Sequence, residues 1–142
     1  MASPGRIAAI DYGTVRIGIA ISDPDQQFAS PYENYNRANE TKDAKRFQQF
    51  VKDEKIVLFV VGLPLHVSGD ESQKSYEARE FGKWLTAQTQ VPVEFYDERY
   101  TSADAEEMLI GIDMTRKQRK KRLDMLAAQL ILKSYLESRD DR

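Results

Sequence analysis

Six consecutive residues, IVLFVV (Ile56 to Val61), contain no polar side chain. A strand with one face in water alternates apolar and polar residues; this one does not, so both of its faces must be covered. That is the pattern of a central strand in a parallel sheet, and Gly62, Leu63 and Pro64 end it. The wider apolar stretch, Ile56 to Leu65, is about half of what a membrane helix needs. Parallel neighbours require crossovers, and the flanking sequence supplies them. Thr41 to Glu54 reads as a helix, with Thr41 as N-cap and Ala44, Phe47, Phe50 and Val51 on one face. Ser72 to Thr89 reads as another, with Ala78, Phe81 and Leu85 turned inward.

Upstream, Arg6 to Ile10, Ile17 to Ile21 and Phe28 to Tyr35 read as three strands joined too closely for crossovers, hence antiparallel. Gly18 suggests a close backbone approach, and Pro31 confines its strand to an edge. Downstream come a strand at Pro92 to Asp97, a short helix from Thr101 to about Ile110 ended by Gly111, and a last helix from about Arg119 to Ser138. The stripe expected on that last helix is Leu123, Leu126, Ala127, Leu130, Ile131 and Ser134. The order predicts an α/β fold: a mixed five-stranded sheet, three antiparallel strands followed by parallel ones, with helices on both faces. The 142 residues suit a single domain over 1–138, with a charged, frayed tail at 139–142. The N-terminus lacks a charged-then-apolar leader, and the chain reads as cytoplasmic.

The chain has no cysteine, so disulfide frameworks, zinc ribbons and thiol nucleophiles are excluded. A single histidine, His66, leaves no multi-histidine metal site and reads as polar loop surface. Charge is more informative. Six of the seven residues from Arg116 to Arg122 (RKQRKKR) are basic; without them the chain carries 15 basic against 23 acidic residues, a net of −8. A positive segment on an acidic body can hold nucleic-acid phosphates, and it can equally be a solvated face.

Acids stand at three telling places. Asp11 ends the first strand at a glycine turn, Asp97 and Glu98 end the last strand, and Asp124 follows the basic run. Ligands of open α/β sheets gather beyond the carboxyl ends of the strands. Carboxylates that converge there repel one another unless a cation intervenes. With this residue inventory the cation is Mg²⁺ or Mn²⁺, which hard oxygen ligands suit. Singly, each acid has a plain alternative: Asp11 shapes its turn, Glu98 pairs with Arg99, and Asp124 pairs with Lys120 or Lys121.

Four segments together resemble the YqgF/RuvX family: IAAIDYGTVRIGIAISD (Ile7 to Asp23), VVGLPL (Val60 to Leu65) with Gly69 beyond it, DERYTS (Asp97 to Ser102) and KKRLDMLAAQLILKSYL (Lys120 to Leu136). The resemblance spans nearly the whole chain. It implies an RNase H-like, three-layer fold similar to the RuvC resolvases. It also implies a nuclease that processes pre-16S rRNA or, in an older description, resolves Holliday junctions. Carried onto this chain, the catalytic and metal-holding acids are Asp11, Glu98 and Asp124, with Asp97 the other member of the acidic pair. If Val93 and Phe95 face the core, Asp97 shares their side and Glu98 takes the opposite one. The family often has two threonines where this chain has Thr101 and Ser102, a change that keeps the hydroxyl.

The expected activity is therefore metal-dependent phosphodiester hydrolysis during ribosome biogenesis, on precursor rRNA or on branched DNA. Arg16, Arg99, Arg116, Lys117, Arg119, Lys120, Lys121 and Arg122 would grip the backbone. No membrane is expected, and monomer and homodimer stay equally open. Two readings of other classes compete. One is an RNA-binding factor without turnover. The other is a phosphotransferase using Asp11 to Thr14 as a phosphate loop, which in related folds needs a second domain that 142 residues do not supply.

Overall fold

The computed structural model describes residues 5–65, 68, 71–98 and 115–140, without the side chains of 116–124 and 140. Among the described residues the chain forms β1 (Arg6–Asp11), β2 (Arg16–Ser22), β3 (Ala29–Asn36), α1 (Glu40–Glu54), β4 (Ile56–Leu63), α2 (Gln73–Thr89), β5 (Val93–Asp97) and α3 (Arg116–Asp140). The sheet order is β3-β2-β1-β4-β5. β1–β2 and β2–β3 are antiparallel, whereas β1–β4 and β4–β5 are parallel. The mixed sheet expected from the sequence is present, with the apolar strand β4 between two parallel partners. Pro31 lies on the edge strand β3, where the register with β2 shifts between Ile19 and Ala20. An edge bulge tolerates the missing amide.

The two faces of the sheet are filled differently. On one, Ile10, Ile17, Ile19, Phe59 and Val61 meet Phe47 and Phe50 of α1 and Phe81 and Leu85 of α2, all buried. The aromatic rings pack tilted or edge-on, with Phe47 against Phe59, Phe81 and Trp84. On the other, Ile7, Ala9, Ala20 and Val60 meet Ala128, Ile131, Leu132 and Leu136 of α3.

Several boundaries differ from the sequence reading. Asn39, not Thr41, caps α1, its side chain accepting from the Lys42 amide at 2.9 Å. Both are good cap residues, and the earlier one adds a turn's start. Asp43 joins Phe47 and Phe50 on the buried face of α1, while Ala44 and Val51 are half-buried. Ser72 caps α2 in a reciprocal box with Ser75, the two bonds being 3.0 and 2.7 Å.

α3 begins at Arg116, three residues before the start expected, so the whole basic run has helical backbone. It continues to Asp140, through half of the segment expected to be a frayed tail, and Arg139 donates to Gln26 at 3.1 Å. The stripe that packs on the sheet is Ala128, Ile131, Leu132 and Leu136 rather than the one expected. Leu130 and Ile131 of the expected stripe are buried, but Leu126, Ala127 and Ser134 are only half-buried. Between Met125 and Leu136 apolar residues fall on most sides of the helix, so periodicity alone does not choose a face. The short helix expected at Thr101 to Ile110, Gly111, and the loop residues His66 and Gly69 lie outside the described residues.

Candidate active site

β1, β4 and β5 run parallel, so their carboxyl ends share one edge of the sheet. Asp11 is the last residue of β1 and sits opposite Gly18 of β2. Strand alternation settles its direction. Ile7 and Ala9 pack on α3, so Asp11, two further on, also faces α3. On β5, Val93 and Phe95 pack against the α1–α2 cluster, whereas Tyr96 packs on the α3 side and Glu94 accepts a bond from Tyr135 of α3. Asp97 therefore shares the α1–α2 side, and Glu98 turns to the α3 side, the face that Asp11 also takes.

Gly62 of β4 makes that turn possible. A methyl group at this position would lie 3.0 and 3.1 Å from Cγ and Cδ of Glu98 and 2.6 Å from Cδ1 of Ile131. Cγ and Cδ of Glu98 thus lie over the bare backbone of β4. Parallel pairing puts Ile10 opposite Val61, so Gly62 is the next position beside Asp11. Both strands flanking Asp11 consequently present glycine there, Gly18 on one side and Gly62 on the other. Burial raises the Glu98 carboxyl above the usual carboxylate range; Lys74 of α2 opposes that shift and the neighbouring Asp97 charge adds to it.

A cavity of about 450 Å³ opens beside Asp11, lined by Tyr12, Gly13, Arg16, Gly18, Lys74 and Glu77 among others. The turn that shapes it needs Gly13, since a Cβ there would sit 2.3 Å from the Arg16 carbonyl oxygen. The turn is also tied from outside. Arg37 donates from Nη1 to the Tyr12 hydroxyl at 3.0 Å and to the Gly13 carbonyl at 3.4 Å. Its guanidinium is paired with Asp43 at 3.5 Å. Asp43 is 3% exposed and also accepts from the Tyr35 hydroxyl at 2.6 Å and the Ala38 amide at 3.0 Å. A buried carboxylate satisfied this fully is a rigid anchor, and through Arg37 it fixes the turn that follows Asp11.

Of the residues singled out from sequence, Asp11 and Glu98 are brought to one face and Arg16 lines the cavity beside Asp11. Asp97 is directed to the other face. Backbone positions 116–122 and 124 lie in the first turns of α3, but the side chains of Arg116, Lys117, Arg119, Lys120, Lys121, Arg122 and Asp124 are outside the described residues, as is Arg99. Position 124 precedes Ala128 by four residues and Ile131 by seven, the helical spacing of the stripe that packs on the sheet. Among the described residues no three potential ligands cluster as a metal site. The donor chemistry of Asp11 and Glu98, two oxygen ligands with glycine on either side of Asp11, nevertheless fits a hard divalent cation.

Sequence reasoning missed Lys74 and the Arg37–Asp43 anchor. Lys74 carried a faint signal: it stands in the first turn of α2, which holds no acid, and a cation there opposes the helix dipole. Arg37 and Asp43 carried none, because their roles depend on the loop after β3 meeting both α1 and the turn after β1.

Comparison with known proteins agrees with this fold. The family model RuvX, described as Holliday junction resolvase, matches residues 5–138. A protein of Rhodopirellula baltica named "Putative pre-16S rRNA nuclease" is 47% identical over 134 residues, covering 94% of this chain and 78% of its own. One of the same name from Koribacter versatilis is 41% identical over 135 residues, covering 95% and 88%. Among solved structures, the Thermus thermophilus RuvC in complex with a Holliday junction substrate superposes with a TM-score of 0.59 at 15% identity, covering 96% of each chain, which is a likeness of fold. With its strand order, its acid-bearing strand ends and a family match over nearly its full length, the chain belongs to the RuvX family.

Proposed function

We propose that this chain is a metal-dependent nuclease that hydrolyses phosphodiester bonds in structured nucleic acid, with precursor 16S rRNA as its substrate in ribosome biogenesis. The observation that carries the reading is the placement of Glu98 across Gly62, on the same face of the sheet as Asp11 and beneath the helix that bears position 124. Asp11, Glu98 and Asp124 would hold Mg²⁺ or Mn²⁺, with Asp97 behind Glu98 adding negative charge. A cation so held would lower the pKa of an attacking water and neutralise charge on the phosphate. The chain's own residues do the rest. Burial keeps Glu98 poorly hydrated and primed for a cation, Arg37 and Asp43 hold the Asp11 turn still, and Lys74 and Arg16 supply positive charge at the cavity. The basic start of α3, with Arg99, would grip phosphates on either side of the cut.

The resolvase description of the family supports a second substrate, the four-way DNA junction. One experiment separates the two and tests both. Purified protein is incubated with structured precursor rRNA and with a four-way DNA junction, in Mg²⁺ and in EDTA, beside Asp11→Asn. Cleavage that requires Mg²⁺ and is lost in Asp11→Asn is the expected result, and the substrate cut assigns the role. Cleavage that survives in EDTA, or in the folded Asp11→Asn protein, refutes the proposed site.

A further inference from the structure

A second and larger cavity, about 710 Å³, adjoins the candidate active site. The two share Tyr12, Thr14, Val15 and Glu77, so they form one continuous surface passing over the turn that follows Asp11. Their linings differ in chemistry. Near Asp11 the positive groups are Lys74 and Arg16. Across the turn the walls are aromatic and acidic: Tyr12, Tyr76, Phe81 and Trp84, with the carboxylates Glu77 and Glu80. The rings form a run, Tyr12 to Phe81 at 5.0 Å and Phe81 to Trp84 at 5.4 Å between centroids. Arg37 lies over this run, 5.4 Å from the Tyr12 ring centre and 5.8 Å from that of Phe81, and its charge is matched by Asp43. Tyr76, at the groove, is 58% exposed, so its ring is open to a ligand.

We infer that this groove is a nucleobase subsite, which takes a base splayed out from the strand whose phosphate lies at Asp11. The inference rests on the nucleic-acid reading above and goes beyond it in assigning the base a place. The groove disfavours a phosphate backbone relative to the Lys74 and Arg16 side, since Arg37 is matched by Asp43 and Lys83 pairs with Glu80 at 3.6 Å, which leaves the lining no net positive charge. A base fits on both counts. Unpaired bases stack on aromatic rings and guanidinium planes, and they offer amino and imino donors on their pairing edges. Carboxylates accept those donors, and a base with adjacent imino and amino groups can meet one carboxylate through both. The shared turn sets the geometry: phosphate on the Lys74 and Arg16 side, base on the Tyr76 and Trp84 side. Only an unpaired nucleotide can span the two, so the groove selects single-stranded or unstacked positions next to the cut.

Trp84 makes the test direct, since it is the only tryptophan in the chain. The Asp11→Asn protein is titrated with an end-labelled, short single-stranded RNA and with an abasic chain of equal length. Label anisotropy reports binding, and Trp84 emission reports occupancy of the groove. The expected result is that both chains bind, that only the RNA changes Trp84 emission, and that Tyr76→Ala weakens RNA about tenfold, the usual scale for one lost stacking contact, while leaving the abasic chain unaffected. RNA binding with unmoved Trp84 emission and no effect of Tyr76→Ala overturns the subsite alone. Equal emission changes with both chains overturn it too. If neither chain binds, the nucleic-acid reading falls, and the subsite with it.

Discussion

Replacing Gly62 with alanine tests the site where its geometry is most exacting. The new methyl would stand 2.6 Å from Cδ1 of Ile131 and 3.0 and 3.1 Å from Cγ and Cδ of Glu98. The Ile131 contact is with the free end of a side chain and can be relieved by a small rotation. Overpacking of this kind costs about 1–3 kcal/mol, and the lost freedom of the unfolded chain returns about 0.4–1 kcal/mol. The net destabilisation is then at most about 2.5 kcal/mol, a fall of roughly 10 °C or less in Tm for a chain of this size. The Glu98 contact has a different consequence. To make room, its side chain must give by a few tenths of an ångström; a misplacement of about 1 Å at a reacting centre costs about a hundredfold in rate, so a shift of this size should cost several-fold to about tenfold. Cleavage should fall by that much while the protein stays folded.

Gly82→Ala is the matched control. A methyl there would meet Cζ and Cε1 of Phe95 at 2.6 and 2.7 Å, on the opposite face of the sheet. The ring cannot yield as Cδ1 of Ile131 can, so stability should fall at least as far, yet cleavage per folded molecule should be unchanged. Both variants are measured by thermal melting and by single-turnover cleavage below the lower Tm. A Gly62→Ala protein that melts a few degrees low and cuts at the native rate would refute the placement of Glu98 at the centre of the chemistry.

Asp11→Asn should abolish cleavage without lowering Tm in metal-free buffer, because removing one of several gathered carboxylates relieves repulsion; a marked loss of Tm would make Asp11 a structural residue instead. Tyr35 should titrate late: burial first, then its bond to Asp43, pushes its hydroxyl up to about 12. The folded state therefore holds that proton more tightly than the unfolded one, so the stabilisation is complete below pH 10 and is lost as pH rises through about 12; a stability curve flat across that range in the native protein, with Asp43→Asn identical, would contradict it. Replacing Arg116, Lys117, Arg119 and Lys120 with alanine should weaken binding alike across unrelated sequences and flatten the dependence of log K on log salt by about 0.7 per lost contact for single strands or 0.9 for duplex; an unchanged slope would move the phosphate grip to another face.

The fold was legible because its strongest signal was its least ambiguous. An unbroken apolar strand with helical patterns on both sides admits few topologies, and Pro31 marks an edge strand that proves to be one. The acids at the ends of β1 and β5 were legible for the same reason, since strand ends can be counted in sequence. The direction of Glu98 followed from alternation once Val93 and Phe95 were seen to face the α1–α2 core. What the sequence withheld is whatever depends on contact between distant segments. Asp43 looks like an exposed first-turn acid of a helix, yet it is buried, because Tyr35 and Arg37 arrive from β3 and the loop after it. The stripe of α3 differs from the expected one because the middle of the helix, Met125 to Leu136, carries apolar residues on most sides and takes its orientation from the sheet beneath it.

That sheet explains why the acids lie where they do. The α1–α2 face is filled by Phe47, Phe50, Phe59 and Phe81, rings large enough to hold two helices at a distance. The α3 face is laid with Ala9, Ala20 and Val60 and answered by Ala128 of the helix, so α3 can approach closely. Toward the carboxyl ends of the strands the same face becomes barer still, with Gly18 and Gly62 on either side of Asp11. Small residues thus serve two purposes along one surface. Lower down they let a helix pack tightly, and at the end of the strands they leave Glu98 free to lie across β4. Exchanging the faces would set aromatic rings beside Asp11 and Glu98. The division of large and small residues between the two faces is therefore a condition of the proposed chemistry as much as of stability.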